Sequence, residues 1–150
     1  MKELNWRFKS YDDLSKVELF DIYYLRQEVF VVEQECAYQD ADEKDELSYH
    51  MMAYDKEVLV AYLRIVSPGV SYVEPAIGRV VTKPTHRGLG QGRILMKKAI
   101  EQVKSVFDKS SIRISAQEHL IPFYESLNFK VIGEGYLEDN IPHIEMLYNE

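Results

Sequence analysis

The segment Arg79-Val80-Val81-Thr82-Lys83-Pro84-Thr85-His86-Arg87-Gly88-Leu89-Gly90-Gln91-Gly92 holds the strongest chemical signal in the chain. A β-rich run ends, three glycines follow at alternate positions, and a long amphipathic stretch begins. The start of a helix carries unpaired N–H groups and about half a positive charge. Glycine lets that backbone come close to an anion and adopt positive φ. Arg87 and its basic neighbours add charge-assisted contacts. The pattern predicts a cradle for phosphate or pyrophosphate. Spacing excludes two familiar versions. A P-loop needs G-x-x-x-x-G-K-[ST], and neither Lys-Ser nor Lys-Thr follows here. A dinucleotide turn needs G-x-G-x-x-G, but after Gly88 and Gly90 the sixth position is Arg93. A plain strand-to-helix connection is the remaining alternative. It would leave the density of bases without a reason.

Those bases form half of an unusual charge pattern. Residues 76–100 carry Arg79, Lys83, Arg87, Arg93, Lys97 and Lys98 with no acid, a local charge of +6. Residues 33–46 carry Glu33, Glu35, Asp40, Asp42, Glu43, Asp45 and Glu46 against Lys44, a local charge of −6. The whole chain of 150 residues sums to −7, which argues against nucleic acid as a general partner. The acidic stretch would either draw in a cationic substrate or simply be a solvated loop. It fails as a calcium loop. Asp40 and Asp42 suit the first and third positions, but Lys44, Asp45 and Met51 stand at the fifth, sixth and twelfth. No metal site is therefore expected. The single Cys36 excludes an intramolecular disulfide framework and a cysteine-based zinc site, and with no base in view it reads as structural. No run approaches the roughly 18 apolar residues of a membrane span, and the first residues lack the apolar core of a secretory signal. A cytoplasmic protein with no membrane partner is expected. Eleven tyrosines and six phenylalanines would cover either a homodimer interface or the sheet itself.

The elements that must position these groups follow from periodicity. Leu4, Trp6 and Phe8 alternate with polar residues as in a half-buried strand. N-cap chemistry lies between Ser10 and Asp13, and Leu19, Ile22, Tyr23, Arg26 and Phe30 recur at helical spacing. Residues 49–54 and 58–65 predict a hairpin turning at Asp55-Lys56-Glu57, and 77–82 a buried strand. Gly92, Leu95, Met96, Ala99, Ile100, Val103 and Phe107 make one helical stripe. Ile112 and Ile114 mark a strand, 122–127 a short helix with proline in its first turn, and 129–132 a strand. Ile144, Met146 and Tyr148 mark the last one. The order β-α-β-β-β-α-β-α-β-β predicts one α/β (α+β) domain over residues 1–150.

Arg87-x-x-Gly90-x-Gly92 resembles the R/Q-x-x-G-x-G/A motif of the GNAT acyltransferases, between a central strand and a helix. The longer segments LRQEVFVVEQECAYQDADEKDE (25–46), IGRVV (77–81), AQEHLIPFYESLNF (116–129) and NIPHIEM (140–146) are similar to the ElaA-like branch of that family. Two departures are visible. Asn128 replaces the usual glycine before Phe129 and tolerates a left-handed backbone. Thr82 replaces a common valine, where only main chain is needed.

The resemblance implies a central, mixed, mostly antiparallel twisted sheet flanked by helices. It implies acetyl-CoA as co-substrate, without a metal, and a small-molecule or peptide amine as acceptor. The main chain of Val80, Val81 and Thr82 would pair with the pantetheine arm. The amides of Arg87, Gly88, Leu89, Gly90, Gln91 and Gly92 would hold the pyrophosphate. The Val80 N–H would stabilise the oxyanion as the amine attacks the thioester directly. Tyr124 would protonate the leaving thiolate, a phenol of pKa about 10 facing a thiol of about 8.5. Core packing is the alternative role for that tyrosine. Candidate bases for the amine are His143, His50, Glu33 and His119. His143 resembles a family position near the acceptor pocket, and His119 could equally touch the cofactor. Arg26 would bind a substrate carboxylate or pair with an acid of the 33–46 loop, and Glu33 and His143 would face the substrate. A non-catalytic acyl-CoA binding module and a domain cradling another nucleotide are the competing readings.

Overall fold

Residues 3–108 and 111–149 are described in the structure, a computed structural model of the chain. Seven strands form one sheet: β1 (Asn5–Ser10), β2 (Ser48–Asp55), β3 (Val58–Val66), β4 (Ala76–Thr82), β5 (Ser111–Gln117), β6 (Phe129–Glu138) and β7 (Ile141–Asn149). Their spatial order is β1-β2-β3-β4-β5-β7-β6. Every neighbouring pair is antiparallel except β4 and β5, which are parallel. The helices are α1 (Lys16–Arg26), α2 (Gln91–Phe107) and α3 (Ile121–Glu125). The element order is the one the periodicity predicts.

Alternation along the strands explains why both faces are covered. Met51 and Ala53 of β2 pack toward the α2 stripe of Leu95, Met96, Ala99 and Val103. Met52 and Tyr54, one residue out of phase, pack with Ile22 and Leu25 of α1. A strand buried on both faces reads as a continuous apolar run, which is what β3 shows. The hairpin from β2 to β3 closes on Asp55 opposite Val58, with Lys56 at φ +57 in its two-residue turn. Asn128 has φ +72, the left-handed conformation expected of it in place of glycine.

The start of α1 differs from the sequence expectation. Tyr11–Asp13 form a 3-10 turn, and Ser10 makes no side-chain cap. The cap is Ser15: its hydroxyl accepts the Glu18 N–H at 3.0 Å, and Glu18 accepts the Ser15 N–H at 2.8 Å. That reciprocal pair needs an acid three residues beyond the cap and a helix that continues, which only Ser15 has. Past Arg26 the helix widens into a π-helical segment, Gln27–Glu33. Such widening re-aims side chains, and here it brings Glu28 and Glu33 to the glycine turn.

The pairing of β4 with β5 sets up everything downstream. Only Ala76 and Arg113 are register partners, and beyond them the strands part. On its other side β4 stays paired to β3 as far as Thr82 opposite Ala61. One backbone edge of β4 therefore has no strand beside it.

Ser15→Ala is expected to cost about 1 kcal/mol in urea denaturation, and Ser10→Ala less than about 0.5 kcal/mol. The reverse ranking would contradict the assigned helix start.

Candidate active site

A cavity of about 240 Å³ lies in the opening between β4 and β5. Gly78, Arg79 and Val80 form one wall, Ile114 to Gln117 the other, and Tyr124 and His143 both reach it. The β4 wall is irregular. Tyr62 pairs with Val81 and Arg64 with Gly78, so Arg79 and Val80 together face the single residue Leu63. This is a β-bulge, and Arg79 has φ +53 within it.

The strand leads into an exposed turn from Arg87 to Gly90, and α2 begins at Gln91. Gly88 and Gly90 sit at φ +78 and +77, where other residues are strained. A Cβ at either would meet nothing within 4 Å, so the space above the turn is open. No side chain caps the first turn of α2. Gln91 is buried with its Oε1 unpartnered, and Gly92 lies against the Phe123 ring. Open space beside uncapped amides is what an anion requires, and the turn fits a phosphate group.

Arg87 is not idle at this turn. Its guanidinium holds Glu33 in a bidentate pair at 2.6 and 2.8 Å, and its Nε donates to the Thr82 carbonyl at 3.2 Å. The hydrogen bond from Arg87 holds the Glu33 carboxyl below its ordinary pKa. A carboxylate so engaged is a weak base, and Glu33 is not among the residues lining the cavity.

Tyr124 is buried among Phe123 and Phe129, whose rings it meets edge-on, and it also lines the cavity. Burial pushes its pKa up to about 12. No hydrogen bond to its hydroxyl occurs among the described residues. His143 is buried and stacks on Tyr136. Its Nδ1 lies 2.7 Å from the Ile141 carbonyl, which can only accept. The neutral ring then carries its lone pair on Nε2, and Glu138 stands 3.4 Å from that nitrogen. His50 is elsewhere. Its Nε2–H donates to the Asp45 carbonyl at 2.9 Å and its Nδ1 accepts from the Tyr62 hydroxyl at 2.6 Å. Desolvation takes its pKa down to about 4, so it is a structural histidine, not a base for the acceptor. His119 is exposed, and Gln117 and Leu120 of the same turn line the cavity in its place.

The largest departure concerns the acidic stretch. Arg26 is fully buried; its Nε holds Asp40 at 2.8 Å and its Nη1 holds Asp45 at 2.7 Å. It takes the loop acids and, being fully buried, is out of reach of a substrate carboxylate. Arg64 Nη1 bridges Asp42 at 2.6 Å and Asp45 at 2.8 Å. Arg79 reaches Asp40 and Asp42. The three aspartates are thus neutralised internally, so they cannot act as bait for a cation. Burial raises the Asp45 pKa, but the hydrogen bonds and charges of Arg26 and Arg64 outweigh it and hold the group at about 2. Arg64, Arg79, Tyr38 and Glu138 were not among the expected site residues. The one available signal was Arg64, a lone charge inside the apolar run VLVAYLRIV that had to find buried acids.

The acetyltransferase (GNAT) domain family matches residues 11–149. The chain belongs to the GNAT family. Within it, the chain is 37% identical to protein ElaA of Escherichia coli K12 over 145 residues, covering 95% of each. The crystal structure of E. coli ElaA superposes with a TM-score of 0.92, at 35% identity over 98% of this chain and 100% of that one. An acyl-CoA N-acyltransferase from Pseudomonas aeruginosa superposes with a TM-score of 0.94, at 40% identity over 97% and 99% of the two chains. This GNAT protein is therefore an acyltransferase of the ElaA-like branch, in a family that draws acyl groups from acyl-CoA. The expected fold of a mixed, mostly antiparallel sheet with flanking helices is the one observed. Among its described residues no helix is long and apolar enough to cross a membrane.

The buried charges make stability depend on pH. Asp45 and Glu18 both sit at about 2 when folded. For Glu18 burial raises the pKa, and the Ser15 amide, Lys9 and Arg7 lower it by more. The stability these acids contribute is complete above their unfolded values near about 4 and drains as pH falls toward 2. His50, depressed from about 6.5 to about 4, contributes stability that drains over that higher window in the same direction. Urea midpoints are expected to fall steadily from pH 7 to pH 3, and a flat profile would contradict the buried pairing.

Proposed function

We propose that this enzyme transfers an acetyl group from acetyl-CoA to a primary amine of a small molecule or peptide, by direct attack. One observation carries the reading: the parting of β4 from β5 leaves an unpaired strand edge that runs from the cavity of Tyr124 and His143 toward the uncapped start of α2. An extended amide-bearing arm can pair with such an edge as an added strand would. The amides of Gly88 to Gly92 would take the pyrophosphate, and the thioester would then sit in the cavity. About 240 Å³ is small for a ligand site, which favours acetyl over a long acyl chain.

In the reaction, the amine nitrogen forms a bond to the thioester carbonyl carbon, and charge gathers on the oxygen. The Val80 N–H is the donor assigned to that oxygen. The C–S bond then breaks, and the electron pair leaves with sulfur. Tyr124 is the acid assigned to it. A phenol at about 12 stays protonated at neutral pH, and the desolvation that raised it also makes a departing thiolate more basic. His143 is the base assigned to the amine; the carbonyl that takes the Nδ1 hydrogen directs the lone pair of the neutral ring to Nε2.

Thiol release over an amine panel, read with DTNB, together with calorimetric titration of acetyl-CoA, tests this. Tyr124→Phe is expected to slow release by about a hundredfold with acetyl-CoA affinity nearly unchanged, and an unaltered rate would remove the tyrosine from the mechanism. Glu33 competes with a bound anion for Arg87. Glu33→Gln is therefore expected to tighten CoA binding about two- to fivefold. Weaker binding would show that Glu33 orients the guanidinium instead.

A further inference from the structure

We propose that Arg79 is a positioning residue for acyl transfer, anchoring the bulge in β4 that turns the Val80 amide toward the thioester; the proposal rests on the acyl-transfer reading above. The other non-glycine residues described at positive φ lie in turns or at a helix end: Glu35, Lys56, Asp108, Asn128, Asp139 and Asn140. Arg79 alone takes that conformation inside a strand, at φ +53. A side chain with a Cβ disfavours it, so the surrounding structure must hold the residue there.

The holding group is visible. Arg79 Nε lies 2.9 Å from Asp40 Oδ1 as an ion pair without hydrogen-bond alignment, and Nη2 donates to the Asp40 carbonyl at 2.9 Å. Nη2 also reaches Asp42 Oδ2 at 3.5 Å, and the guanidinium lies over the Tyr38 ring. These acids are themselves fixed. Asp40 is buried between Arg26 Nε at 2.8 Å and the Tyr38 hydroxyl at 2.7 Å. Asp42 takes both terminal nitrogens of Arg64, at 2.6 and 3.1 Å. Asp45 joins Arg26 to Arg64 and accepts the Asp42 N–H at 3.1 Å. The bulge is thus tied through one side chain to the end of α1, to β3 and to the loop between α1 and β2.

The consequence falls on the next residue. The ladder moves from Arg64 opposite Gly78 to Tyr62 opposite Val81, so Val80 shares Leu63 with Arg79 instead of having a register partner of its own, and it lines the cavity with Tyr124 and His143. A backbone donor stabilises developing charge only when held to within a fraction of an ångström. Loosening Arg79 would leave the glycine turn intact while the amide wandered.

The test compares Arg79→Ala, Arg79→Lys and Arg79→Gly in thiol release, with parallel acetyl-CoA titrations. Arg79→Ala is expected to lower kcat about 10- to 100-fold, with the acetyl-CoA dissociation constant within about threefold. Arg79→Lys should recover part of the loss through the charge. Arg79→Gly should exceed Arg79→Ala, because glycine accepts the left-handed backbone without its tether. A kcat for Arg79→Ala within threefold of wild type, or kcat and affinity falling together, would overturn the proposal. Amide NMR keeps the question separate from turnover. Arg79→Ala should shift the Val80 resonance and leave Gly88 to Gly92 in place. If the wild-type protein binds CoA but releases no thiol, the acyl-transfer reading fails, and an unmoved Val80 amide would then still refute the anchor.

Discussion

Two parallel strands that pair once and then separate leave a row of backbone donors and acceptors unmatched inside the molecule. Such groups are costly to bury without partners, so a sheet normally closes over them. Here β4 and β5 pair at Ala76 and Arg113 and diverge. The cavity follows from that divergence, since a closed sheet would leave no space for it. The flanking pairs are extensive: β3 with β4, and β5 with β7, run in register over most of their lengths. The opening is therefore held from both sides by regular structure, as a preformed binding edge should be.

Charge does the rest of the holding. The basic stretch and the acidic stretch, far apart in sequence, turn out to be each other's partners. Arg79 meets Asp40 and Asp42, and Arg87 meets Glu33. Lys83 extends the pattern by meeting Glu28 of the π-helical segment. The buried part of this network fixes the loop after α1 against β3 and β4. The exposed part, Arg87 with Glu33, sits at the anion turn and can open. Buried pairs of this kind contribute little net stability over an apolar packing, but removing one partner leaves a costly orphan charge. Their value is in geometry, which is where an acyltransferase needs it.

Much of this was legible in the residues, and what was not has physical reasons. The α2 stripe, the hairpin at Lys56 and the order of elements along the chain follow from period and turn chemistry, both local properties. The helix start was displaced from the Ser10 region to Ser15 because both serines have an acid three residues on, Asp13 and Glu18, and only the second is followed by a helix that continues. Pairing of Arg26 with an acid of the loop was one of its two expected roles, but the burial of the loop acids was hidden for a different reason. A charge written in a sequence has no depth, and only the fold shows that Asp40 and Asp45 are buried and paired rather than facing solvent. Nothing in the composition marks Arg79 as left-handed, since the residues its guanidinium meets, Tyr38, Asp40 and Asp42, lie on a loop distant in sequence. The pairing of Glu33 was hidden likewise, because its partner lies 54 positions away.

The central claim is that the edge left open by β4, with the glycine turn beside it, is where acyl-CoA lies. A crystal structure with acetyl-CoA decides it. The diphosphate is expected on the amides of Gly88 to Gly92 with Arg87 released from Glu33, and the thioester carbonyl within hydrogen-bond reach of the Val80 N–H beside Tyr124. A cofactor bound elsewhere on the surface, with β4 and β5 still parted around an empty cavity, would contradict it.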